Sequence, residues 1–140
     1  MDKTRRRLAN ETLLDLSNIS LIILPLELFK LKKLEVLDCS YNQLTTLPSE
    51  IAKLKNLKVL NCINNQLTTL PPELVELNNL EELWCGFNQL TSLPIELVEL
   101  NNLGILYCGG NPIPDTEPHT LKQLRERYPP MLKIKANSKK

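Results

Sequence analysis

The sequence predicts an α/β solenoid: a parallel sheet along one side of a stack of short repeats, with brief helical return segments along the other. Three sets of residues predict it, all at a period of 23. Leu24-Pro25, Leu47-Pro48, Leu70-Pro71 and Leu93-Pro94 form one set. Asn42, Asn65, Asn88 and Asn111 form the second, and Cys39, Cys62, Cys85 and Cys108 the third. A fixed period in the twenties with Leu at the anchors marks a protein whose repeats bury their apolar faces only against their neighbours.

Each element follows from one repeat, residues 34–56 (LEVLDCSYNQLTTLPSEIAKLKN). Val36 to Ser40 are expected to form a short strand with Leu37 and Cys39 inward, because side chains two apart share a face. Asn42 sits where the chain turns inside the stack; its amide can satisfy backbone groups that would otherwise be buried unpaired. Leu44 and Leu47 continue the core. Pro48 opens a return segment in which Ile51 and Leu54, three apart, face inward over one or two helical turns. Glu27, Glu50, Glu73 and Glu96 fall in the first turn of these segments, where negative charge complements the helix dipole.

Residues 1–10 read as a basic N-terminal cap or tail. Five repeats fill 11–114, starting at Glu11, Leu34, Leu57, Leu80 and Leu103. In the first, Glu11 replaces Leu and Ile19 replaces Asn, as expected of a terminal unit. After Asn111-Pro112-Ile113-Pro114, the run Asp115-Thr116-Glu117-Pro118 supplies an N-cap and a first-turn proline. Leu121, Leu124 and Tyr128 then predict an amphipathic capping helix over 115–130, ended by Pro129-Pro130. Residues 131–140 read as a basic tail.

The net charge is +1, unevenly placed: +3 in residues 1–10, +4 in 131–140 and −6 between them. The basic ends leave contact with nucleic acid or an anionic surface as an alternative, which the acidic body disfavours. No run is long and apolar enough for a signal peptide or membrane span, so a cytoplasmic protein without membrane insertion is expected. The four Cys alternate in phase with Leu37, Leu60, Leu83 and Leu106, so they read as reduced, buried core filler rather than a disulfide framework or metal site. The single histidine is His119. No Gly-rich phosphate loop, metal-ligand spacing or nucleophile–base pair accompanies it, so the chain reads as non-catalytic, with no cofactor and no metal.

Leu57, Leu60, Cys62, Asn65 and Leu67 fill the pattern L-x-x-L-x-L-x-x-N-x-L, and their neighbours do likewise. The chain thereby resembles the leucine-rich repeat family over about residues 11–128. Its LPxEL return segments are similar to the 23-residue intracellular class, which includes Ras-group plant proteins and Ras-pathway scaffolds. The wording NQLTTLP is similar to repeat proteins of bacteria and large DNA viruses. The resemblance implies a short right-handed horseshoe with the sheet on its concave face and helical or 3-10 segments on its convex face.

Three columns of side chains should then face outward from the concave sheet. They are Leu13, Val36, Val59, Glu82, Ile105; then Asp15, Asp38, Asn61, Trp84, Tyr107; then Ser17, Ser40, Ile63, Gly86, Gly109. Asn18, Tyr41, Asn64, Phe87 and Gly110 flank them at the strand ends. Four of the six aromatic residues, Tyr41, Trp84, Phe87 and Tyr107, fall in these positions. Aromatics in solvent-facing register supply large apolar area with a polar handle, which suits a contact surface. The alternative is that they cover the sheet. Gly86, Gly109 and Gly110 are expected to leave shallow pockets flanked by rings. Asp15, Glu35 and Asp38 should make the other end acidic. The expected site for a protein or peptide partner is therefore Tyr41, Ile63, Glu82, Trp84, Phe87 and Tyr107 with Asp15, Glu35 and Asp38. The chain should act as a monomer or weak dimer, with self-association through the aromatic patch as a further alternative.

Overall fold

The computed structural model describes residues 12–114, 126 and 133–135. Strands β1 (Leu13–Asp15), β2 (Val36–Asp38), β3 (Val59–Asn61), β4 (Glu82–Trp84) and β5 (Ile105–Tyr107) alternate with four five-residue 3-10 segments: η1 (Leu26–Lys30), η2 (Ser49–Lys53), η3 (Pro72–Glu76) and η4 (Ile95–Glu99). A sixth strand, β6 (Lys133–Lys135), follows. All six lie in chain order in one open sheet, every neighbour parallel. This is the expected solenoid.

The return segments are 3-10 because proline fixes their entry and only one short turn is needed. Pro25, Pro48, Pro71 and Pro94 hold φ between −65° and −73°. Each proline carbonyl accepts from the residue three ahead, as in Leu28 N–H to Pro25 at 3.1 Å and Ile51 N–H to Pro48 at 3.0 Å. Three residues per turn places positions three apart on one line, so Ile51 and Leu54 both point inward and both are fully buried.

The core is a continuous column of leucines between sheet and return segments, with Leu37, Leu60, Leu83 and Leu106 on its sheet side. Cys39, Cys62, Cys85 and Cys108 join them, buried and free of disulfides. Each repeat buries too little for stability alone and gains it by stacking.

Two expectations change. The strand expected over Val36–Ser40 is three residues long, because side chains take backbone groups beyond Asp38: Ser40 N–H donates to Asp38 Oδ1 at 3.0 Å, and the Cys39 carbonyl accepts from Asn42 and Asn65 Nδ2, each at 3.0 Å. Contact with the next repeat persists there without ladder pairing. Cys39 N–H reaches Asn61 carbonyl at 2.8 Å, and Tyr41 N–H reaches Ile63 carbonyl at 2.8 Å. Residues 131–140, read as a basic tail, contain β6, which pairs Lys133 with Ile105, Ile134 with Leu106 and Lys135 with Tyr107. The N-terminal segment 1–10 lies outside the described residues. So does the capping helix over 115–130, apart from Glu126, which is helical.

Candidate functional site

The strand register fixes the first two columns residue by residue. Leu13, Val36, Val59, Glu82 and Ile105 are successive partners, and so are Asp15, Asp38, Asn61, Trp84 and Tyr107. The register continues both columns to Lys133 and Lys135.

The turn beneath these columns is held by the asparagines. Asn65 Nδ2 donates to the Cys62 carbonyl of its own repeat at 3.1 Å and to the Cys39 carbonyl of the preceding one at 3.0 Å. Its Oδ1 accepts from Leu44 N–H at 2.9 Å. Asn42, Asn88 and Asn111 repeat the arrangement on Leu16 and Leu21, on Cys62 and Leu67, and on Cys85 and Leu90. Every buried side-chain nitrogen or oxygen among the described residues has a partner. The site therefore rests on a rigid floor, since an unpaired buried amide would cost about 1–3 kcal/mol.

In repeats 1–3 the second column caps its own strand. Ser17 donates its hydroxyl and its backbone N–H to Asp15 Oδ1 at 2.6 and 2.9 Å, and Ser40 does the same to Asp38 Oδ1 at 2.6 and 3.0 Å. Ile63 N–H donates to Asn61 Oδ1 at 3.1 Å. One oxygen of each acidic side chain is thus committed to local structure. Glu35 stands outside the columns, one residue ahead of β2, half-buried, with its carboxylate 3.8 Å from Lys58 Nζ. The acidic end of the face thus carries Asp15 and Asp38 in the second column, with Glu35 beside β2 facing Lys58.

In repeats 4 and 5 the column becomes aromatic. The Trp84 and Tyr107 rings lie 5.7 Å apart between centroids, and Phe87 and Tyr107 6.4 Å, both tilted. Tilted pairs in this range are favourable for ring quadrupoles. Trp84 Nε1–H donates to Glu82 Oε1 at 2.9 Å, so the indole is half-buried against the first column rather than standing free in water. Ile63 is half-buried beside this group's approach, while Phe87 (51% exposed) and Tyr41 (58%) present the most open rings.

The pockets expected at Gly86 and Gly110 are filled. A Cβ on Gly86 would fall inside the Tyr107 ring, and one on Gly110 would meet Phe87 Cδ1 at 2.5 Å. Each ring crosses to the neighbouring repeat and lies on its glycine. Gly86 and Gly110 thus make room for rings of this chain.

Sequence reasoning missed a backbone feature at the same place. Asn18, Tyr41, Asn64, Phe87 and Gly110, one per repeat, all have φ between +55° and +74°. Asn and Gly tolerate the left-handed region, and their recurrence was the available signal. Tyr41 and Phe87 are bulky residues at a position that disfavours them.

Burial holds the Cys column in the thiol form. The Cys39 pKa is pushed up to about 12, first by burial and then by the Asp38 charge. Cys62 and Cys85 are also raised, by burial and then by neighbouring cysteines. Among the described residues, no group of three His, Cys, Asp or Glu side chains could hold a metal ion, and no helix is long and apolar enough to cross a membrane.

A family profile described as Leucine Rich repeats (2 copies) matches residues 32–76 and 55–96. Among solved structures, a leucine-rich repeat protein of Leptospira interrogans is similar, with a TM-score of 0.74 and 40% sequence identity over 82% of this chain. The match spans 28% of that protein's length. No curated protein matches the sequence.

Proposed function

Because the chain is a leucine-rich repeat protein, a type that typically serves in protein interaction, we propose that it binds a protein partner without turnover, through the aromatic end of its concave sheet face. The observation that carries the reading is the contiguous group Trp84, Tyr107 and Phe87, with centroids 5.7 and 6.4 Å apart, where repeats 1–3 carry strand-capping Asp and Asn. Tyr107, lying on Gly86, serves as a floor. Phe87 is the projecting anchor of that end and Tyr41 a separate exposed ring in repeat 2, and both sit in left-handed backbone that costs about 1–2 kcal/mol. That cost is offset by binding if the rings serve as contacts. Asp15 and Asp38 steer basic residues of the partner to the other end.

Strands β1 to β5 span four spacings of about 4.8 Å, roughly 20 Å in all. This suits a peptide or the edge of a domain. Four buried cysteines, none of them in a disulfide, support a reducing, cytoplasmic setting. The test is capture from host lysate by wild type, Trp84→Ala and Phe87→Asn. Asn is at home in left-handed backbone, so Phe87→Asn removes the ring and keeps the turn. A captured protein lost with both variants, at preserved melting temperature, identifies the partner. Equal capture by all three removes the concave-face site, and a large drop in stability with no change in capture makes the rings sheet cover.

A further inference from the structure

A second surface lies away from the aromatic face, on the return side of repeats 1 and 2. Ile22 and Ile23 are 69% and 67% exposed. At the same positions the next three repeats carry Thr45-Thr46, Thr68-Thr69 and Thr91-Ser92, all exposed. The backbone turns these positions to water in each of the first four repeats, so the two isoleucines are not core residues displaced outward. Leu26, 66% exposed, stands where the next two repeats have Ser49 and Pro72.

At Leu26, a few residues along the chain from the isoleucines, η1 and η2 leave a hollow of about 460 Å³. Leu26 and Phe29 give it apolar walls, and Lys30, Lys32, Lys53 and Glu50 line the rest. The charge there is particular to this end of the stack. Lys30 and Lys53 occupy the last turn of η1 and η2, where η3 and η4 have Glu76 and Glu99. Lys55 and Lys58 have carboxylates at 3.4 and 3.8 Å. Among the described residues, no carboxylate lies within 4 Å of Lys30, Lys32 or Lys53.

We propose that this apolar, lysine-lined hollow is a second docking site, which takes an acidic amphipathic segment of another protein. Bulky apolar side chains of that segment cover Ile22, Ile23 and Leu26, and its carboxylates meet the lysines. Burial of apolar area supplies the affinity. The charge supplies position, because the Glu76 and Glu99 half of the same side repels an acidic partner and the lysine half attracts it. This site is independent of the aromatic face.

The probe is a fluorescein-labelled peptide of alternating Glu-Glu and Leu-Leu pairs, followed by anisotropy and by amide shifts of the 15N-labelled protein. We expect saturable binding that weakens with salt and shifts amides of residues 19–33 and 49–56. Ile22→Thr/Ile23→Thr and Lys30→Glu/Lys53→Glu import residues that other repeats carry at these positions, so both variants fold. Each should weaken binding by tenfold or more, while Trp84→Ala leaves it unchanged. Binding no tighter than that of a Lys/Leu control peptide overturns the proposal, as does indifference to both double variants. Binding to phosphatidylserine vesicles without peptide binding assigns the surface to lipid instead. Self-association abolished by the same variants, without peptide binding, assigns it to a second copy.

Discussion

Gly86 and Gly104 are both glycines of the sheet side, yet their surroundings differ. A Cβ on Gly86 runs into the Tyr107 ring, whereas one on Gly104 comes no closer than 3.8 Å to the Glu81 carbonyl. Gly86→Ala should displace the ring and cost about 1–3 kcal/mol, as overpacking does. Gly104→Ala should be neutral or stabilising by about 0.4–1 kcal/mol, through the entropy of the unfolded chain. Urea unfolding of the two variants checks this, and equal midpoints would contradict the interlocked rings. The aromatic columns were legible in the sequence, because alternation fixes which side chains share a face. That the rings lie on the glycines was not. A glycine reports only a missing side chain, and whether solvent or a neighbouring ring fills the space depends on rotamers set one repeat away. That Glu35 lies one residue ahead of β2 and near Lys58 was not legible either, since both depend on the start of the strand.

At the scale of elements, the sequence carried most of the information. Leu-Pro marks each 3-10 entry, and the three-residue spacing of Ile51 and Leu54 marks its inner face. The one misjudged length, Val36–Ser40, arose because the Asp38, Asn42 and Asn65 side chains take the Ser40 N–H and the Cys39 carbonyl, which a longer ladder would need. The Cys column is an element property too, since each of β2 to β5 is followed by one. Its thiols titrate later in the folded chain than in the unfolded one, Cys39 near 12 against an ordinary 9.0. The folded state then holds protons that the unfolded state has released. Stability from this source is complete below about pH 9 and falls as pH rises from there towards 12. Melting temperature should therefore decline over that window, and less steeply in Cys39→Ala, although that variant starts lower at pH 7. An equal alkaline slope in both proteins would place the titration elsewhere.

For the whole molecule, the 23-residue period foretold the stack but not its last strand. β6 pairs 28 positions after β5 rather than 23, and it carries neither the Leu nor the Asn of a repeat. Periodicity has no means of finding a strand that does not repeat. Its consequence is physical: β5 has a neighbour on both sides, so its amides are not an open edge. Removing residues 131–140 should expose that edge and speed hydrogen exchange at Ile105 to Tyr107, while β2 and β3 exchange as before. Repeat stacks couple mainly to nearest neighbours, so the effect should fade within about one or two repeats. Unchanged exchange at β5 would mean that β6 does not protect it.

The asparagine ladder also gives the stack a direction in time. Each Asn accepts from a backbone N–H that precedes it by 21 residues, and donates to a carbonyl 26 residues earlier. A repeat leaving the ribosome therefore carries unsatisfied polar groups until its successor arrives. At about 5–20 residues per second, that interval is about 1–5 s. Each repeat is sealed by the one synthesised after it, so the nascent chain closes like a zip whose slider trails translation by one tooth.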